Sequence, residues 1–352
     1  MKFLLAAAFA LLADAFPPVD VTKWQQLNSE GIRLVESGNY AAAEARFRAA
    51  LLEAEPMGGA DYRLRATLSN LAYSLQEQSD LGGAEKLYRR VLQLREEFLP
   101  PDSPEIASAL NNLASVLHSA ARDEQADPLA RRAIQIAEDA HKAGILAASL
   151  NTLGLALMGQ GEDARAEPVL RRALAMFEEI GGPDSLDVGK TANNLASVYS
   201  HQDEFIKAEL QLRRALPIYE QHLPAGHPLI AAVLNNLFVV LGAQKRFDEA
   251  APYLRRALDI SERSAPEGLR TQQMRANLAS LESSQGHWQS AADLLKRAVD
   301  AEQRLLGPDH PSVALALANY AEALKHLNHK AEARDIERKA NNLLKSYRHG
   351  ND

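Results

Sequence analysis

Apolar residues recur along the chain at helical spacing, and the same polar phrase interrupts them at near-constant intervals. Asn-Leu-Ala stands at Asn70-Leu71-Ala72, Asn112-Leu113-Ala114, Asn194-Leu195-Ala196 and Asn277-Leu278-Ala279. Degenerate copies fill the gaps at Ser29-Glu30-Gly31, Thr152-Leu153-Gly154, Asn236-Leu237-Phe238 and Asn319-Tyr320-Ala321. Aligned on their last residue, successive copies are 41, 42, 40, 42, 42, 41 and 42 positions apart. Twelve residues after each copy comes an alanine: Ala43, Ala84, Ala126, Ala166, Ala208, Ala250, Ala291 and Ala333. Seven further on stands a small or apolar residue, in Ala50, Val91, Ala133, Ala173, Ala215, Ala257, Ala298 and Ala340. A strict period of this length marks a repeat architecture. Small residues at fixed helical positions let two helix backbones approach closely. The pattern therefore predicts eight antiparallel helix pairs.

Turn phrases separate the pairs: Leu99-Pro-Pro-Asp-Ser-Pro104, Gly181-Gly-Pro-Asp-Ser185, Leu223-Pro-Ala-Gly-His-Pro228 and Gly307-Pro-Asp-His-Pro311. Pro128, Pro168 and Pro252 are expected in the first turn of second helices, where no backbone hydrogen bond is lost. Thr22 with Gln25 suggests the cap of the first helix. No strand-like alternation interrupts the pattern. In this setting the chain resembles the tetratricopeptide repeat family, with Leu195-Ala-x-x-Tyr199 standing for the family's Leu-Gly-x-x-Tyr signature. The 42-residue period and the Gly307-Pro-Asp-His-Pro311 turn are similar to the kinesin-light-chain-like subgroup. The resemblance covers residues 22–345 and implies an all-α fold, a right-handed superhelical α-solenoid of about eight repeats. Phe238, Pro217, Arg275 and Glu282 depart from the pattern, the first by its size and the last two by putting charge where apolar side chains are expected.

The first fifteen residues read differently. Lys2 precedes an unbroken apolar run from Phe3 to Leu12, and Ala13-Asp14-Ala15 is a small-x-small cleavage site. That is the layout of a secretory signal peptide, and the run is too short for a membrane span of about 20 residues. The expected organisation is a signal peptide over 1–15, a linker over 16–21, the repeats over 22–345 and a polar tail over 346–352. The mature chain is expected to be periplasmic or extracellular, without stable insertion in a membrane.

Helical phase places one polar column on the face of each first helix opposite the packing side. It contains Asn70, Asn112, Asn194, Asn236, Asn277 and Asn319, with Ser29 and Thr152 in the other two repeats. Asparagine is a mediocre helix former, so its recurrence in mid-helix asks for a reason. Each carboxamide has one acceptor and two donors and can pair with both groups of a peptide unit. The family resemblance implies a concave groove lined by first helices, in which such asparagines hold an extended peptide. The competing reading is that these amides bond to the next repeat and fix the superhelix. A neighbouring column includes Asn151, Asn193 and Asn235, and the variable groove positions include Tyr73, Gln76, His118, His201 and Lys325. These variable positions are mixed and mostly neutral, so they imply no single ligand charge.

Other chemistry is weakly signalled. The net charge of −7, from 39 basic and 46 acidic residues, disfavours phosphate backbones. Arginine pairs recur at Arg89-Arg90, Arg131-Arg132, Arg171-Arg172, Arg213-Arg214 and Arg255-Arg256, but Glu85, Asp127, Glu167 and Glu209 precede four of the first arginines at ion-pairing distance along a helix. A nucleic-acid partner is therefore not expected. The absence of cysteine removes disulfides and thiolate sites. The ten histidines include no His-Glu-x-x-His, and neither a phosphate loop nor a nucleophile elbow occurs. The reading is a secreted, non-catalytic scaffold without cofactor or metal that binds a protein or peptide, its oligomeric state open. The alternatives are a regulatory receptor for a short free peptide, or an accessory subunit of a secreted enzyme or secretion assembly. With only a short segment after the last repeat, binding is expected to be the whole activity.

Overall fold

The computed structural model describes residues 21–349, apart from Ala265, Glu267 and Asp309. The signal-peptide reading and most of the linker lie outside the described residues. Within them every regular element is helical, and the chain divides into two compact units, residues 1–181 and 182–352.

The first unit holds four helix pairs: α1 (Val21–Glu36) and α2 (Tyr40–Ala54), α3 (Tyr62–Glu77) and α4 (Leu81–Phe98), α5 (Pro104–Ser119) and α6 (Asp123–Asp139), and α7 (Ala143–Gly159) and α8 (Asp163–Gly181). A short 3₁₀ turn, Glu55–Met57, follows α2. The second unit repeats the plan with α9 (Leu186–His201) and α10 (Phe205–His222), α11 (Pro228–Ala243) and α12 (Phe247–Ser264), α13 (Leu269–Ser284) and α14 (Trp288–Leu306), and α15 (Pro311–His326) and α16 (Lys330–His349). The last helix thus runs to His349, into the segment read as a polar tail. At the other end α1 already includes Val21, so Thr22 lies inside its first turn instead of capping it.

The two small-residue columns on the second helices are the core of every pair. All sixteen positions, from Ala43 and Ala50 to Ala333 and Ala340, are at most 1% exposed. The facing position on the first helix is equally tight. A Cβ added at Gly31 would lie 2.5 Å from the Phe47 ring, and one at Gly154 would lie 2.5 Å from Leu170. Where the first helix gives up its side chain, the second supplies a large one to the same space.

Each pair is closed by the same turn. Seven residues beyond the small position the backbone is left-handed in all eight repeats, at Gly38, Ser79, Ala121, Gly161, Asp203, Lys245, Gly286 and Asn328. The next amide donates to the carbonyl five residues back, as in Asp80 N to Leu75 O at 2.9 Å and Arg122 N to Leu117 O at 2.9 Å. This is a Schellman turn, which satisfies carbonyls orphaned at the helix end. Three of the eight left-handed residues are glycine and two, Asp203 and Asn328, are types that tolerate this region, so Ser79, Ala121 and Lys245 carry the steric cost of about 1–2 kcal/mol each.

The prolines sit deeper than their expected place. Pro128, Pro168 and Pro252 are the sixth residues of α6, α8 and α12, and Pro217 lies within α10. All four are on exposed faces, where water can reach the carbonyl that each leaves without its helical donor. His227 and His310, both preceding a proline, cap α11 and α15: their Nδ1 atoms accept from Leu229 N and Ser312 N, each at 3.2 Å.

Two consequences are measurable. Ala208→Leu inserts bulk between α9 and α10 and is expected to destabilise by about 1–3 kcal/mol in chemical denaturation. Ala121→Gly relieves a left-handed alanine at φ 55° on an exposed turn. It is expected to raise stability by about 0.5–1 kcal/mol, whereas the same change at a right-handed exposed helix position lowers it.

Candidate functional site

Packing consumes one side of each first helix and the inward side of each second helix, leaving two surfaces. The outer surface of the second helices is a lattice of ion pairs. Arg89 pairs with Glu85 at 2.9 Å, Arg131 with Asp127 at 2.5 Å, Arg171 with Glu167 at 3.7 Å and Arg213 with Glu209 at 2.8 Å, as their spacing predicts. The second arginine has a role that sequence reasoning missed. Arg90 reaches Glu55 at 2.6 Å, Arg132 reaches Glu96 at 2.5 Å and Arg172 reaches Glu138 at 2.7 Å, each a carboxylate of the preceding repeat. Arg256 pairs with Glu220, and Arg297 with Glu262 at 2.6 Å, in the same way. The signal was present as a glutamate 34–36 residues before each of these arginines. Exposed pairs contribute little singly, about 0–1 kcal/mol. Their effect is to tie neighbouring repeats and to leave no unpaired cationic stripe on these residues.

Repeat 7 handles its misplaced charges similarly. Arg275 is buried, yet its guanidinium meets Glu262 at 2.9 Å and Gln272 Oε1 at 2.6 Å. Glu282 is held by Arg255 and His287, each at 2.9 Å. Arg255 first, with His287 adding, holds its carboxyl below the usual range against the opposing push of burial. A paired network replaces the expected apolar contacts there.

The remaining surface belongs to the first helices, which touch one another between α1 and α3, α5 and α7, and α9 and α11. Asn70, Asn112, Asn194, Asn236 and Asn277 are half-buried on it, and Asn319 is exposed. Two of these amides bond across repeats. Asn70 Nδ2 donates to Asn28 Oδ1 at 3.1 Å, and Asn236 Nδ2 donates to Asn193 Oδ1 at 3.1 Å. The two asparagine columns therefore interlock at these steps, which gives those amides a structural share. Each bond uses one N–H of the donor and leaves its other N–H and its Oδ1. Asn277 Oδ1 instead accepts from Gln273 within α13 at 3.3 Å. The Thr152 hydroxyl turns to the Ala148 carbonyl at 3.1 Å. The residues one repeat earlier in the adjoining column, Asn235 and Asn111, keep buried Oδ1 atoms with no protein partner.

The variable positions separate. Gln76 Nε2 donates to Ser115 Oγ at 3.3 Å, linking repeats 2 and 3. His118 is taken up by Asp123 at 2.6 Å across the turn to α6. Asn151 is half-buried, and Tyr73 is 40% exposed. Lys325 pairs with Glu337 at 2.9 Å and borders an open hollow with Lys330, Ala333 and Arg334. His201 and Asn236 come together. With Ser197 and Ser200 they rim a cavity of about 250 Å³ between α9 and α11, whose apolar lining is Ala196, Leu212, Val240 and the exposed Val239. Among the described residues no group of three or more carboxylates and histidines is placed to hold a metal. No helix there is long and apolar enough to cross a membrane.

The comparisons agree with this architecture. Among solved structures, the chain is similar to a signal transduction ATPase with a tetratricopeptide repeat sensor from Pyrococcus horikoshii, at 14% identity and a TM-score of 0.66, over 92% of this chain and 47% of that one. It is similar also to a Rap protein complexed with Competence and Sporulation Factor, at 14% identity and a TM-score of 0.57, over 92% and 98% of the two chains. A kinesin light chain repeat protein from Podosopora anserina aligns at 19% identity with a TM-score of 0.49, over 56% and 95%. No curated protein sequence matches. The family profile described as Tetratricopeptide repeat matches residues 63–139, 145–221, 229–301 and 270–346. With most of its length matched, the chain belongs to the tetratricopeptide repeat family.

Proposed function

We propose that this protein is a secreted, non-catalytic scaffold that holds a polypeptide segment of a partner protein on its first-helix face. The cavity between α9 and α11 carries the reading. Its apolar lining and polar rim suit one apolar side chain, while the free N–H and Oδ1 of Asn236 suit the adjoining peptide unit. Burying a leucine-sized side chain contributes about 1.5–3 kcal/mol. A peptide hydrogen bond adds about 1 kcal/mol. Micromolar binding needs about 8 kcal/mol. Several such steps along the face are thus required, which favours an extended segment over a single-residue ligand. The secreted part rests on Lys2, the apolar run Phe3–Leu12 and Ala13-Asp14-Ala15.

A second reading, a receptor for a short free peptide, uses the same cavity, and a fold-alike Rap protein is known with a bound factor. Capture of the full chain from its native host, with crosslinking and mass spectrometry, separates the two: a protein partner supports the scaffold and a co-purifying oligopeptide the receptor. Ser200→Leu, which fills the cavity from its rim, is expected to weaken capture at least tenfold with the melting temperature shifted by less than about 2 °C. Undiminished capture would remove the cavity from the binding site. Asn236→Ala is expected to lower both binding and stability, the latter by about 1 kcal/mol, because it also breaks the bond to Asn193. In the same preparation the mature chain is expected to begin at Phe16, and an intact Met1 would contradict export by cleavage.

A further inference from the structure

Repeat 2 puts two arginines where most repeats bury neutral side chains. Arg65 on α3, only 9% exposed, stands at a packing position that is alanine in repeats 3, 4, 6 and 8. Arg95 on α4, half-buried, stands at one that is a buried alanine in the two adjacent repeats, Ala54 and Ala137. The turn over 58–60 lies between them. Arg65 Nη1 donates to the carbonyls of Gly59 and Ala60 at 2.7 and 2.8 Å. A Cβ on Gly59 would lie 2.6 Å from both Leu94 and Phe98, which flank Arg95 along α4. Arg95 Nη1 donates to the Glu105 carbonyl at the start of α5, and Arg95 Nε is buried with no protein partner. All of these bonds go to backbone carbonyls, and among the described residues neither guanidinium is in an ion pair. The acids nearby are committed elsewhere, Asp61 to Arg63 at 2.6 Å and Glu105 to the Ser103 hydroxyl. Counting these groups, three arginines (63, 65 and 95) against two carboxylates (61 and 105) leave one positive charge. Burial first, and the Arg65 charge next, push Arg95 below its ordinary range, with Glu105 opposing them.

Holding the turn does not by itself call for a charge. In repeat 7 the Arg65 position is taken by Gln272, also buried, whose neutral amide donates to the carbonyls of Pro266 and Gly268 at 3.0 and 3.3 Å. A buried cation without a carboxylate beside it is costly, and a buried donor without a partner asks for one. Each guanidinium has five N–H groups, of which Arg65 uses at most two and Arg95 one. Their planar forks match the oxygens of carboxylates and phosphates. We propose that Arg65 and Arg95 together bind a small oxyanion, a carboxylate or phosphate group, at the junction of α3, α4 and α5. The site does not depend on the first-helix face being a binding surface.

The test follows the arginine Nε–H resonances of the ¹⁵N-labelled full chain during titration with sodium phosphate and, separately, sodium acetate, the ionic strength being held constant with sodium chloride. Arg65→Gln and Arg95→Ala assign the two signals. The first variant keeps an amide for the turn, as Gln272 does, and the second restores the alanine of the adjacent repeats. The Arg65 and Arg95 signals are expected to move saturably and with one affinity, while those of Arg89 and Arg131 in the outer lattice stay fixed. Each substitution should weaken binding about tenfold, read from the signal that remains. Arg171→Gln, on the outer face, should change nothing. A response to phosphate alone assigns the site to phosphate groups, and a matching response to acetate extends it to the carboxylates of a polypeptide. No saturable shift with either anion, a drift shared by all arginine signals, or full affinity in both variants overturns the inference. Two signals moving together in the unsubstituted chain already decide the matter, so the outcome does not hang on either variant folding.

Discussion

The close approach of two helices at positions where one of the two must give up its side chain is the constraint from which the rest follows. The second-helix alanines are excluded from solvent in every repeat, and at Gly31 and Gly154 even a methyl group would strike the partner helix. Such contact is short-ranged, so any added volume must displace the side chain packed against it. It fixes the phase of each helix about its own axis and thereby decides which residues remain at the surface. Repeat 6 shows the limit of tolerance: Phe238 takes the small position and, half-buried, does not enter the seam as Ala196 or Ala279 does.

With the phase fixed, the two remaining surfaces are treated oppositely. On the second helices, arginine–carboxylate pairs run both along the helix and to the preceding repeat, so charge is matched by charge nearly everywhere it recurs. Such a face is well solvated and has little left to offer a ligand. On the first helices the recurring group is a neutral amide, flanked by positions that change from repeat to repeat. Interlocking Asn28 with Asn70 and Asn193 with Asn236 holds neighbouring first helices in register while keeping part of each amide for other bonds. A structural role thus does not exhaust the side chain, because a carboxamide has more hydrogen-bonding groups than one neighbour can use.

The repeat number, the helix pairing and the buried columns were legible in the residues because close packing admits so few side chains that its period survives in the sequence. The turns were less legible. A Schellman turn needs a left-handed residue, but packing on both sides holds the backbone there whatever the side chain, so Ala121 and Lys245 serve where glycine would announce the turn. The depth of Pro128, Pro168 and Pro252 was misjudged for a related reason: an exposed carbonyl bonded to water tolerates a proline well beyond the first turn. The asparagine columns could be placed on a face by phase, but not assigned partners. Whether a mid-helix amide reaches its neighbour or turns to its own helix, as Asn277 does towards Gln273, depends on differences of an ångström that spacing does not encode.

The variable positions looked neutral when pooled over all eight repeats, and the pooling concealed an order. Charges on exposed groups act over about 8 Å at physiological ionic strength, less than the span of a few repeats, so a ligand experiences the groups beside each of its residues and not the chain's average. In the first unit the carboxylates Glu36 and Glu77 occupy equivalent positions in adjacent repeats, and the same positions in the next two are uncharged. Amide hydrogen bonds and apolar burial are nearly blind to the direction of an extended chain. A local charge step is not. The step is confined to the repeats that carry it: one turn earlier on the first helix, at the position of Tyr73, repeat 8 is charged again, as Glu322.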